Sequence, residues 1–132
     1  MCGIAGAYRF NKSGSLKSQN IDKALKLIEH RGPDDTKSRI VNNNFCAGSV
    51  RLSIEALNSG AQPLTIENLT VGFNGEIFNY KELAKSYRLE GLATSSEVHF
   101  LLHAWQKKSF DLFEDLDGQF AIFIYDSSKD EL

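Results

Sequence analysis

The sequence lacks the features that lead to a membrane or a nucleic acid. Its 15 Lys and Arg are outnumbered by 17 Asp and Glu, a formal net charge of -2. With no basic excess, neither a polyanion nor a lipid surface is the expected partner. No apolar run approaches the ~20 residues a spanning helix needs. The N-terminus shows no charged and then apolar leader, so no secretory signal is read and the chain is expected in the cytoplasm. Only two cysteines occur, Cys2 and Cys46. In a reducing compartment a disulfide between them is not expected. Repeats, linkers and low-complexity segments are absent too. The 132 residues are expected to form one domain. A chain of that size buries roughly two-thirds of its unfolded surface, enough for a core without staples.

Signatures of several chemistries are missing as well. There is no G-x-x-x-x-G-K-[ST] or G-x-G-x-x-G, so no phosphate loop is expected. There is no G-x-S-x-G elbow for a serine hydrolase. His99 and His103 share a helix face, but Glu97 stands outside an H-E-x-x-H arrangement and no third ligand is near. A metal is not expected. One of these histidines should be solvated and the other should pack at the edge of the helix stripe.

What is present reads as an α+β chain. "CGIAGAYRF" suggests a first strand. From Ser18 the spacing of Ile21, Leu25 and Ile28 suggests a helix. Gly32 and Pro33 in "HRGPDD" should end it. "SRIV", the asparagines after it and "FCAGSVRLSI" read as a hairpin. "QPLTIENLTVGFNGEIFN" reads as two more strands around Glu67 and Asn68. Asn79 is placed to cap a short helix, "YKELAKSY", and Asp111 to cap the turn "LFEDL". Thr94, Ser95 or Ser96 can cap the next helix, whose stripe is Val98, Leu101, Leu102 and Trp105. "LDGQFAIFIYD" is apolar on both faces and should be covered on both. The closing "YDSSKDEL" reads as strand, turn and return, not as a retention signal, since that signal acts only on exported proteins. Mixed strands and helices with hairpins favour antiparallel sheets.

Cys46 sits among apolar neighbours and reads as a small core residue. Cys2 does not, because termini are poorly ordered unless tied down. Its position offers a specific chemistry. Once Met1 is removed, Cys2 carries a thiol and a free α-amine whose pKa is ordinarily about 7.7–8.0. The amine can take the thiol proton, directly or through a water, which pairs nucleophile and base in one residue. A retained Met1 would turn that amine into an amide without basicity.

"MCGIAG", "HRGPDD", "VRLSI", "GAQPL", "NGEIFNY" and "LDGQFAIFIYD" stand in this order along the chain. Together they resemble the glutaminase domain of class II glutamine amidotransferases. "RGPDD", "RLSI" and "NGEIFNY" are most similar to its asparagine synthetase branch. The resemblance covers essentially the whole chain, so residues 1–132 are expected to be a glutaminase-type domain.

The resemblance implies the N-terminal-nucleophile hydrolase fold, an α+β αββα sandwich with two antiparallel sheets. It implies hydrolysis of glutamine to glutamate and ammonia through a thioester on Cys2, the ammonia passing to an amide-forming synthetase domain or subunit. By the same resemblance the side chain of Asn74 and the N–H of Gly75 form the oxyanion hole. Arg51 holds the substrate α-carboxylate, helped by the main chain of Leu52, Ser53 and Ile54. Glu76 lies by the α-amino group, while Arg31 and Asp34 are structural. No cofactor is implied in this domain; ATP and magnesium would belong to the synthetase domain.

Two departures stand out. The family carries an aspartate, before the glutamate and valine that open the helix, to bind the glutamine ammonium. Here the stretch is "TSSEV", and Ser95 occupies that position. The family also continues past "FAIFIYD" into a return strand and an "RD-x-x-G" segment, so this chain is expected to be partial and to leave a sheet edge open. The missing aspartate raises an alternative: an amidotransferase-like domain whose catalysis has lapsed, kept for binding or assembly.

Overall fold

The computed structural model describes residues 2–12, 14–52 and 60–132. In chain order they form β1 (Gly3–Tyr8), α1 (Ser18–Leu27), β2 (Asp35–Ile40), β3 (Phe45–Arg51), β4 (Leu64–Ile66), β5 (Leu69–Ile77), α2 (Tyr80–Ser86), α3 (Glu97–Lys108), α4 (Leu112–Asp115) and β6 (Gly118–Asp126). The strands make two antiparallel sheets, β1-β3-β2 and β4-β5-β6.

Side-chain alternation along the central strands builds the layers. On β3, Cys46 and Val50 face outward, where Ile21 and Leu25 of α1 cover them. Phe45 and Ala47 face the other way and meet Tyr125, Tyr8 and Phe123 between the sheets. On β5, Leu69, Val71, Phe73 and Ile77 face outward under Val98, Leu101 and Leu102 of α3. The order is therefore helix, sheet, sheet, helices: the expected αββα sandwich. Burying each such side chain contributes about 1.5–3 kcal/mol.

Local signals explain the ends of these elements. The helix α1 runs into a 3-10 turn at Glu29–Arg31 and stops at Gly32. In the β2–β3 hairpin, Asn42 Oδ1 accepts from the N–H of Asn44 at 2.8 Å and of Phe45 at 3.0 Å. Of the serines and threonine offered as caps, Ser96 caps α3, its Oγ accepting from His99 N–H. At the chain's far end Asp126 and Glu131 exchange main-chain hydrogen bonds of 2.9 and 3.2 Å, so "YDSSKDEL" does turn back on itself.

Three expectations need correcting. Asn79 does not cap α2 with its side chain. Its amide instead donates to Asp115 O at 2.9 Å and accepts from Asp117 N–H at 3.0 Å, tying α2 to the entry of β6. Asp111 likewise makes no capping bond to α4. The strand β6 is not covered on both faces along its length. Ile122 and Ile124 pack against the helix-side core, and Phe123 and Tyr125 join the inter-sheet core. Gln119, Phe120 and Ala121 are exposed, because β6 forms the edge of its sheet and overhangs those cores there.

Candidate active site

Aromatic contacts pin the two sheets together at one end. Tyr8 and Tyr125 have ring centroids 6.0 Å apart, and Phe45 stacks on Tyr125 at 4.4 Å. From there β1 runs back to Cys2 and β3 runs forward to Arg51. The register pairs Gly3 with Val50, so Cys2 and Arg51 lie at the same end of that sheet. Gly3 faces α1, where an added Cβ would meet Ile28 and Val50. Alternation turns Cys2 to the opposite face, the one that also carries Ser49 and Arg51.

The second sheet matches this. Thr70 pairs with Tyr125 at the aromatic end, and β5 then runs through Gly72 to Asn74 and Glu76 on the inter-sheet face. At about 3.3 Å per residue, four to six residues carry both strands some 13–20 Å from the aromatic contacts. The strands β1 and β5 approach each other across the gap. Cys2 and Arg51 of one sheet thus lie at the same end of the sandwich as Asn74, Gly75 and Glu76 of the other.

The loop between α1 and β2 holds the first pair. Arg31 Nε donates to Cys2 O at 3.1 Å, fixing the main chain of the candidate nucleophile. Asp34 N–H donates to Arg51 O at 3.0 Å. An added Cβ on Gly32 would lie 2.4 Å from Arg51 N and 2.6 Å from Val50 C. Only glycine lets the loop main chain press so closely on the end of β3. Arg31 and Asp34 therefore bear on the site through the backbone of the residues they hold.

Each candidate has a distinct setting. Cys2 is a half-buried free thiol, and Cys46 is a buried one whose pKa burial pushes up. Arg51 is 9% exposed. Asn74 Oδ1 is buried and has no hydrogen-bond partner among the described residues. Gly75 adopts φ +139°, and an added Cβ would lie 2.0 Å from Gln119 O. Glu76 is exposed and Leu52 half-buried. Ser53 and Ile54 lie outside the described residues.

The motif-bearing chain is matched over residues 1–132 by the family model described as "Glutamine amidotransferase domain". The chain belongs to the glutamine amidotransferase domain family. It is 34% identical to asparagine synthetase B [glutamine-hydrolyzing] of Escherichia coli, over 98% of this chain and 24% of that protein. It is 34% identical to asparagine synthetase [glutamine-hydrolyzing] 2 of Bacillus subtilis, over 100% of this chain and 18% of that protein. For asparagine synthetase [glutamine-hydrolyzing] 1 of Saccharomyces cerevisiae the identity is 32%, over 100% of this chain and 23% of that protein. The chain thus spans about a quarter or less of the length of these relatives.

Two residues of this amidotransferase domain were given no site role by sequence reasoning. Gln62 Oε1 accepts from Phe73 N–H at 2.6 Å, and its main-chain oxygen accepts from Ser49 Oγ at 2.8 Å, linking the sheets. Glu97 Oε1 accepts from Ile77 N–H at 2.6 Å, joining the start of α3 to the end of β5. Both lie inside the quoted strings "GAQPL" and "TSSEV", yet a string does not show what its side chains reach. The histidine pair differs from expectation. Both residues are half-buried. His99 Nδ1 lies 3.0 Å from the capping Ser96 Oγ, and His103 Nε2 is buried without a partner among the described residues. Among the described residues no His, Cys, Asp and Glu group could hold a metal ion, and no helix is long and apolar enough to cross a membrane.

Proposed function

We propose that this domain hydrolyses glutamine to glutamate and ammonia through a thioester on Cys2. What supports the reading is that Cys2 and Arg51 lie at the same end of the sandwich as Asn74, Gly75 and Glu76, in a chain of the glutamine amidotransferase domain family. With Met1 removed, the α-amine of Cys2 takes the thiol proton and the thiolate attacks the glutamine side-chain carbonyl. Negative charge collects on the carbonyl oxygen, where the amide of Asn74 and the N–H of Gly75 stabilise it. The α-ammonium of Cys2 returns its proton to the leaving nitrogen, and ammonia departs. Water, deprotonated by the same amine, then cleaves the thioester to glutamate and regenerates the thiol. Arg51 suits the α-carboxylate because its guanidinium is a planar fork of donors.

The ammonia would pass to an amide-forming synthetase domain or subunit, as the relatives' name "asparagine synthetase [glutamine-hydrolyzing]" suggests. ATP and magnesium would act there. The deciding assay follows glutamate and ammonia released from glutamine by protein whose intact mass shows Met1 absent. Equimolar release is expected; no release above a heat-killed control would reject the reading.

Ser95 favours the second reading, a lapsed domain kept for binding. A serine accepts one hydrogen bond but carries no charge to meet the substrate ammonium. A charge-assisted bond is worth about 1.5–3 kcal/mol. Ser95 immediately precedes the capping Ser96, and Glu97 in the same segment is bonded beside Glu76 at Ile77. Ser95→Asp is therefore expected to lower KM for glutamine by roughly tenfold to a hundredfold. An unchanged KM would show that position 95 does not face the ammonium.

A further inference from the structure

We infer that Gln62 and Glu97 are positioning residues that clamp the edge of β5 on either side of Gly75 and so aim the Gly75 N–H at the reacting oxygen. The inference rests on the glutaminase reading of this site. It begins with the ladder between β5 and β6. Asp126 turns both its main-chain groups outward, to Glu131, so its pair with Leu69 is a non-hydrogen-bonded one. Such pairs alternate along an antiparallel ladder. Phe73, Gly75 and Ile77 therefore also point their N–H groups away from β6, to the opposite edge of β5.

The partner strand on that edge is too short to satisfy them. The pairing of β4 with β5 begins at Leu64 and Val71. Side chains replace the missing strand. Gln62 Oε1 accepts from Phe73 N–H, and Glu97 Oε1 accepts from Ile77 N–H, both at 2.6 Å. Gly75 lies midway between them, its N–H on the same edge, and the neighbouring Asn74 Oδ1 is buried without a partner among the described residues. Two edge donors are capped by side chains, and for the Gly75 N–H between them no hydrogen bond outside the sheet ladder is seen among the described residues. β6 pairs with β5 throughout, but on the β4 side the main-chain support ends at Val71, and a misplacement of about 1 Å can cost on the order of a hundredfold in rate.

The test uses the full chain with Met1 removed. Glu97→Ala and Gln62→Ala are each expected to lower kcat about tenfold to a hundredfold while KM stays within about twofold, because the lost interaction is made in the transition state. Glu97→Gln keeps a carbonyl acceptor and should retain most of the rate, which a mere loss of stability would not predict. In 15N-labelled protein, hydrogen exchange of the Ile77 amide should quicken in Glu97→Ala and that of Phe73 in Gln62→Ala, and the Gly75 cross-peak should move in both. Wild-type kcat in both alanine variants, or an unmoved Gly75 cross-peak, would overturn the inference. If the parent protein released no glutamate, the glutaminase reading would fall, while the exchange and Gly75 signals would still decide the clamp.

Discussion

Alanine at position 2 is expected to abolish glutamate release and leave the fold as it is. The nucleophile is the one group for which no neighbour can substitute, and losing such a group costs on the order of a millionfold in kcat. The fold should not notice. Cys2 is half-buried and belongs to none of the three buried clusters. Its structural tie to Arg31 runs through its carbonyl oxygen, which alanine keeps. A thermal melt matching the parent, with the rate at background, is the expected pair of results. A glutamine-like electrophile should add its mass to the peptide containing Cys2 and spare Cys46. The second thiol is buried under α1, and burial holds it in the unreactive protonated form. A Cys2→Ala protein with the parent's rate, or label on Cys46, would remove Cys2 from the mechanism.

The same contrast shows what could be read before the fold was known. Cys46 was legible as core, because a small thiol flanked by apolar residues in a strand has one easy place to go. The strands and α1 were legible because their spacing and the turn residues agreed. Coverage of β6 was not legible, since apolar residues on both faces do not reveal that the strand lies at an edge. Asn79 misled for a related reason: an asparagine before a helix can cap it, but Asp115 and Asp117 offered a better-placed partner from a distant segment. The site residues were named through family motifs, while their supports, Gln62 and Glu97, act through hydrogen bonds to main-chain groups 11 and 20 residues away. Such contacts leave no periodic trace in a sequence.

Gly75→Ala should harm both stability and catalysis, and the two losses have one cause. The residue sits at φ +139°, a region that residues with a Cβ rarely enter. The added carbon would lie 2.0 Å from Gln119 O and 2.6 Å from Phe120 Cα. Both are main-chain atoms of β6, paired to β5, so no side chain can swing aside. Overpacking and a strained φ each cost about 1–3 kcal/mol. Together they predict a loss of about 2–6 kcal/mol, seen as a melting point lower by roughly 10–30 °C. Whatever shift relieves the clash must also move the Gly75 N–H, and one oxyanion donor is worth a factor of about 10²–10³ in kcat. Gly14 provides the control. Its φ is +71°, but nothing lies within 4 Å of its added Cβ. Gly14→Ala carries strain without collision and should cost only about 1 kcal/mol, with full activity. If Gly75→Ala melted and turned over like Gly14→Ala, the tight β5–β6 approach at this position, and with it the oxyanion role of Gly75, would be wrong.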